Sequence, residues 1–372
     1  MSKLLSMMKK NDQYMLLNKV GTPTITDGVV SGFSASNYLK LPEYSGTINS
    51  LELVFKLTTA PITITNSALI CSLNGDVNFR VFVRTQNTIR IAYRDIADDE
   101  TKYVTSTNVV SDNLYIKCIL DNSGIKLFFS SNGINWNLEA STTNKAKLSN
   151  LITDGQIGYQ SSTFNVYDGS IDIYNSYIKI NGTKYLFEFV MPLTMVGNIT
   201  INNGIVSGFS ADDYVRTPLI DNIESASLDL VINYDIPLNN DAMRIFRFGT
   251  ATSNAYQLRW SNGGNIQYYA KTKRFASNKE ISNYKYIRLT TENGLENNVQ
   301  IFVSNNGNTW EQAILQENAL EQSFTNTQII LGRIIKGNIN FKNSYIIING
   351  TKYVFRIYDD NNFDFTDMFA LS

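Results

Sequence analysis

The stretch Ile125-Lys126-Leu127-Phe128-Phe129-Ser130 repeats its apolar positions every second residue, at Ile125, Leu127 and Phe129, and Asn132-Gly133 follows it. Much later Val299, Ile301 and Val303 keep the same phase ahead of Asn306-Gly307. A period of two sends alternate side chains to opposite faces of a strand. Asn-Gly after such a run suits a type I′ hairpin turn, which needs positive φ at both central residues. Asp27-Gly28, Asn181-Gly182, Asn203-Gly204 and Asn349-Gly350 meet the same demand. β-Branched and aromatic residues are frequent, and no long internal stretch carries a helical period, so the pattern predicts many short antiparallel strands.

The strands come in two matching series. Gly28, Gly32, Phe33 and Tyr38 match Gly204, Gly208, Phe209 and Tyr214 at one constant spacing. In the same order, SLELVFKL from Ser50 matches SLDLVINY from Ser227, and FRVFVRTQNTIRIAYR from Phe79 matches YQLRWSNGGNIQYYAK from Tyr256. YIKCIL from Tyr115 then matches YIRLTT from Tyr286, IKLFFSSNGINW matches VQIFVSNNGNTW, and NSYIKINGTKYLF from Asn175 matches NSYIIINGTKYVF from Asn343. Preserved order makes this a tandem duplication. The predicted domains are 21–192 and 193–372, the second ending in a short acidic tail, with Met191-Pro192 at the join and no flexible linker.

These motifs carry a resemblance. A GxxSGFSxxxY start, a strand like LELVFKL, a VSNNGNTW hairpin and a closing GSIDIYNSYIKINGTKY resemble the concanavalin A-like, laminin-G-like jelly roll, in the divergent form common in bacteriophage tail and other virion proteins. The resemblance implies an all-β chain of two tandem jelly-roll β-sandwich domains. It implies little about function, because such folds host lectins, glycosidases, adhesins and spacers. Residues 1–20 lie outside it. Leu4, Leu5, Met8, Tyr14 and Met15 could share neighbouring turns of an amphipathic helix, serving either attachment or only as a lead-in to the first domain. The segment has neither the charge order nor the apolar length of a secretory signal, and no stretch reaches membrane-spanning length.

Composition narrows the chemistry. The 372 residues are 43% hydrophobic and 17% charged with a net charge of -1, enough for two cores and unfavourable to nucleic-acid binding by the whole molecule. Histidine is absent, which excludes Ser-His-Asp and Cys-His catalysis and His-ligated zinc. Cys71 and Cys118 allow one disulfide but do not require it; Leu289 stands opposite Cys118 in the alignment, so a buried thiol replacing a leucine is the reading adopted.

Glucanases on related folds place paired carboxylates along one strand face. Here Asp172 is alone, its counterpart is Asn340, and the acidic DIADDE run from Asp95 reads as a loop. Asp121-Asn122-Ser123-Gly124 could offer calcium oxygens, but the second copy does not reproduce it. Trp136 and Trp310 close their hairpins and are expected to cover the edge of the core, with stacking on a sugar ring as the alternative; Asn181 and Asn349 fit the glycosylation pattern but read as turns.

The most informative face belongs to the hairpin from Phe79. With Phe79, Val81 and Val83 inward, Arg80, Phe82 and Arg84 point outward, joined by Arg90 and Arg94. The second copy offers Gln257, Arg259, Gln267, Tyr269 and Lys271. Guanidinium forks beside aromatics suit glycans or a protein interface, and a plain solvated face is the alternative. The expectation is a non-enzymatic virion protein of a tail fibre, baseplate or appendage. It would be assembled in the host cytoplasm without cofactor, metal, nucleic acid or membrane insertion. Its partners would be other virion proteins, further copies of itself in a homo-oligomer, and bacterial surface polysaccharide. A decoration or spacer protein of capsid or tail is the alternative, and a glycan-cleaving enzyme a lesser one.

Overall fold

A computed structural model describes residues 13–61, 67–73, 79–148, 152–159, 166–202, 204–221, 227–235, 243–248, 256–260, 264–270, 273–291, 299–316, 326–333, 335 and 337–358. The chain divides into two units between Phe189 and Val190, inside the long strand Thr183–Val196. Apart from a short 3-10 turn at Ile281–Asn283, the described regular structure is β-strand.

The first unit is a two-sheet jelly roll. Its larger sheet runs Gln13–Leu17, Thr183–Phe189, Ser170–Ile180, Leu51–Thr59, Leu114–Asp121, Gly124–Ser130 and Asn137–Thr142; the first of these pairs is parallel. The smaller sheet runs Asn18–Val20, Tyr38–Lys40, Gln156–Ile157, Ala68–Ser72, Phe79–Val83, Thr88–Arg94 and Thr101–Val109. Leu53, Phe55 and Leu57 of one sheet and Phe79, Val81, Val83, Ile89 and Ile91 of the other are buried, as the period of two requires. Each such side chain contributes roughly 1.5–3 kcal/mol by leaving water.

The second unit repeats these ladders. Leu228–Asp235 lies between Asn338–Ile348 and Tyr286–Thr291, and Met243–Phe248 lies between Ile329–Leu331 and Tyr256–Trp260.

The N-terminal helix expectation is corrected. Gln13–Val20 is a strand, and Tyr14 and Met15 belong to it; Met15, Leu16 and Leu17 are all buried. Three consecutive buried residues need neighbours on both faces, which a pairing strand supplies and a solvated amphipathic helix does not. Leu4, Leu5 and Met8 lie outside the described residues.

Three turns have the backbone that Asx-Gly demands: φ is 49° and 77° at Asp27-Gly28, 50° and 87° at Asn181-Gly182, and 49° and 79° at Asn349-Gly350. Asn203 lies outside the described residues. Asn132-Gly133 and Asn306-Gly307 differ, because only their glycines have positive φ. Their connections are longer and are closed by side chains. Asn132 Oδ1 accepts from the Ile134 and Asn135 amides, and Ser130 Oγ accepts from Gly133 N; Asn306 and Ser304 repeat the arrangement. Asn181 Oδ1 accepts from the Asn49 and Ser50 amides while its Nδ2 donates to Thr47 O at 2.6 Å, so this asparagine has a structural task.

Candidate functional site

On the first unit, strand pairing fixes which residues share the outer face of the smaller sheet. Arg80 sits opposite Ser72 and Ala92, and Phe82 opposite Leu69 and Arg90. Phe82 is not an exposed aromatic. It is 4% exposed and packs in a small apolar cluster with Leu69 and Ala92, forming a floor beneath the polar groups. The exposed ring is Tyr103, which sequence reasoning missed; it is 55% exposed and lies opposite Ala92. Its strand, Thr101–Val109, is mostly polar, and only the phase of Val104 and Ser106, both buried, signals which side Tyr103 takes.

Arg90, Arg84 and Arg94 of this hairpin have different duties. Arg90 places its guanidinium carbon 4.9 Å from the Tyr103 ring centre and donates from Nε to Thr105 Oγ1 at 3.1 Å. Burial, then the nearby Arg84 guanidinium, lowers the Arg90 pKa from its ordinary value. Arg84 lies beyond the strand end, where its amide donates to Thr88 O at 2.8 Å. Arg94 donates from Nη1 to Asp99 O at 2.7 Å, which commits it to the neighbouring loop.

That loop is the DIADDE run, and its acids serve structure. Lys102 Nζ bridges Asp95 at 2.8 Å and Asp98 at 2.6 Å, and Asp95 Oδ1 accepts from Ala97 N. The Ala97 amide, then Lys102, holds the Asp95 carboxyl below its usual range; Lys102, then the Glu100 amide, does the same for Asp98. A depressed folded-state pKa contributes stability that is complete above the unfolded value, about 3.9 for Asp, and is lost as pH falls through the folded value. Asp95→Asn is therefore expected to lower the urea midpoint at pH 7, with the deficit against the parent closing at pH values below about 3.9. A deficit that persists unchanged into acid would show that the charge is not what matters.

On the second unit the same face is chemically different. A bulge at Ile245, between the Arg244–Arg259 and Phe246–Leu258 pairs, shifts the phase by one residue. Arg244 and Arg247 consequently share the outer face with Arg259, Gln257, Gln267 and Tyr269. Arg259 lies 3.8 Å from the Tyr269 ring centre and donates from Nη2 to the Tyr269 hydroxyl, which in turn donates to Gln267 Oε1. Lys271 lies outside the described residues. Arg244 and Arg247 were not singled out from sequence because a strict period of two cannot place both on one face.

The larger sheet holds a feature that both units keep. Lys117 Nζ sits 4.1 Å from the Trp136 ring centre and 4.8 Å from that of Phe128. In the second unit Arg288 lies 5.7 Å from Trp310 and 6.0 Å from Phe302, and it binds Asp229 through Nε and Nη2 at 2.7 and 2.6 Å. Both tryptophans are half-buried on the outer face and pack on a cation, so they do not close the core edge as expected.

The other candidates are engaged in holding the fold. Asp172 binds Lys56 Nζ at 2.9 Å and accepts from Asn175 Nδ2 at 2.7 Å. Asp121 Oδ1 takes Ser123 N and Oγ. Among the described residues no group of three or more Cys, Asp or Glu is placed to hold a metal ion. Cys71 and Cys118 are free and buried, and burial raises both thiol pKa values far above the ordinary range.

No protein-family model matches the chain, and no curated protein matches it in sequence. Solved structures similar to it include the LG1-3 region of the laminin alpha2 chain, at TM-score 0.32 and 12% identity over 88% of this chain and 63% of that one. The binding domain of botulinum neurotoxin serotype D gives 0.32 and 12% over 89% and 80%. The enzymatically active domain of bacteriophage CBA120 tailspike protein 2 gives 0.34 and 10% over 48% and 30%. This chain thus spans under two thirds of the laminin fragment and under a third of the tailspike domain. Likenesses this distant assign no activity.

Proposed function

We propose that this chain is a non-enzymatic attachment protein of a bacteriophage virion, with two tandem jelly-roll units that hold bacterial surface glycan on the outer face of the smaller sheet. The observation that carries the reading is the first unit's face, where exposed Tyr103 stacks with Arg90 beside Arg80 over the apolar floor of Leu69, Phe82 and Ala92. A sugar ring offers C–H groups to an aromatic and hydroxyls to guanidinium donors, and a face built on paired strands loses little freedom on binding. Such shallow sites bind weakly, and several copies in a homo-oligomer would multiply them into avidity. The virion setting, with other virion proteins as partners and assembly in the host cytoplasm, rests on the sequence resemblance alone. Binding without turnover is favoured because the chain has no histidine and Asp172 is committed to Lys56 and Asn175.

A second reading, a decoration or spacer protein without glycan binding, draws support from the divergence of the two faces: Leu69 and Phe82 occupy the positions of Arg244 and Arg259. A glycan array separates the two. The parent chain is expected to bind, with at least a tenfold loss, about 1.4 kcal/mol, in Arg80→Ala/Arg84→Ala and in Tyr103→Ala at unchanged unfolding midpoint. Unchanged binding in these variants would remove the face from the proposal, and no binding by the parent would favour the spacer. Turnover of any purified host polysaccharide would overturn the non-enzymatic reading.

A further inference from the structure

We propose that the second unit carries an oxyanion-binding site on the outer face of its smaller sheet, made by the guanidinium groups of Arg244, Arg247 and Arg259. This goes beyond the glycan reading and does not depend on it.

Arg247 is the central observation. It is 3% exposed, and its Nε and Nη2 are buried without a hydrogen-bond partner; Arg259 Nε is in the same position. Among the described residues of this unit the ion pairs are Lys279–Glu311 and Arg288–Asp229, so no carboxylate of the described residues is paired with the cluster. Arg333, whose Nε donates to Ala211 O at 2.8 Å, adds a further positive charge nearby. Burial, and then the neighbouring guanidiniums, lowers the pKa of both Arg244 and Arg247.

A lysine in this position could shed its proton, but a guanidinium stays charged at any ordinary pH. The field therefore persists until an anion answers it. Buried N–H donors without partners are costly, and a carboxylate, sulfate or phosphate oxygen satisfies both the donors and the charge. The fold itself does not require arginine here. The first unit builds the same ladder, including the bulge, with Leu69, Ser72 and Phe82 at the positions of Arg244, Arg247 and Arg259. Tyr269 and Gln267 complete the second-unit site by holding the Arg259 guanidinium through its Nη2, which leaves Nε directed elsewhere.

The test is a titration of the full chain with inorganic phosphate, sulfate, methyl glucuronide and, as a neutral control, methyl glucoside, each against sodium chloride at matched ionic strength. Phosphate or glucuronide is expected to shift the arginine Nε–Hε resonances of Arg244, Arg247 and Arg259 and to raise the unfolding midpoint beyond the chloride control. Arg247→Gln and, separately, Arg259→Gln are expected to weaken that affinity at least tenfold. If Arg247→Gln does not fold, Arg259→Gln and the parent resonances still decide. Tighter glucuronide than phosphate identifies an acidic sugar as the source and the reverse identifies a phosphate group; either supports the site. Phosphate, sulfate and glucuronide effects no larger than those of chloride, or variants that keep the parent affinity, would overturn it. Failure here leaves the first unit's face untouched, and a chain that binds no glycan on an array can still pass.

Discussion

Gly158→Ala is expected to destabilise the first unit by about 4 kcal/mol, from roughly 1–3 kcal/mol of backbone strain and a similar amount of overpacking. Gly158 has φ +89°, and a Cβ built there would stand 2.1 Å from Phe33 Cδ1. The ring cannot retreat easily, because Phe33 is buried and meets Tyr167 edge-on at 6.3 Å. Gly332 and Phe209 repeat the contact in the second unit, at φ +79° and 2.3 Å, so Gly332→Ala is expected to act alike there. Urea unfolding with hydrogen exchange on strand Phe79–Val83 measures the first effect. In a double-mutant cycle Phe33→Ala should return the overpacking part of the Gly158→Ala cost, about 2 kcal/mol, and leave the strain. Strict additivity would mean that the ring is not the obstacle.

Asp172→Ala carries the second large expectation, a loss of about 3 kcal/mol, the low end for breaking a buried ion pair because Lys56 keeps some contact with water. Asp172 holds a wide bulge in which Asp172 faces Lys56 and Tyr177 faces Val54, leaving Ile173 to Ser176 outside the regular register. Ser176 Oγ completes it, donating to Asp172 O at 2.6 Å and accepting from Lys56 N at 3.0 Å. The second unit makes the same bulge with a neutral facing pair: Asn340 faces Asn233, and Ser344 Oγ donates to Asn340 O and accepts from Asn233 N. Lys56→Asn/Asp172→Asn, which installs that neutral pair, should therefore cost under about 1 kcal/mol, since removing both partners strands no buried charge. Equal losses in Asp172→Ala and the double variant would show that the ion pair itself, and not the stranded partner, sets the cost.

Much of this architecture is legible along the chain because strand periodicity is local. Alternation at Ile125, Leu127 and Phe129 needs only the tetrahedral geometry of successive residues, and Asp27-Gly28 turns the chain with the two residues it contains. Even the first strand had a signal: Met15, Leu17 and Val20-Gly21 stand at the spacing of Met191, Leu193 and Val196-Gly197 that relates the two copies. The helical spacing of Leu4, Leu5, Met8, Tyr14 and Met15 competes with that signal.

The sites are less legible, because a phase argument fails wherever the ladder does. A bulge at Ile245 moved Arg244 and Arg247 onto one face, and the aligned bulge at Ile70 moved Leu69 and Ser72 in the same way. Which residues cover a face is also a property of neighbours far apart in sequence: Phe82 is sealed by Leu69 and Ala92, and Tyr103 is left exposed. The repeated Gly-Phe-Ser start shows both sides of this. By itself the sequence determined that Phe33 and Phe209 recur because one fold is written twice. Only the tertiary structure decided what they recur against, a glycine more than a hundred residues away in each unit, because close packing is settled between atoms that the chain brings together only once it has folded.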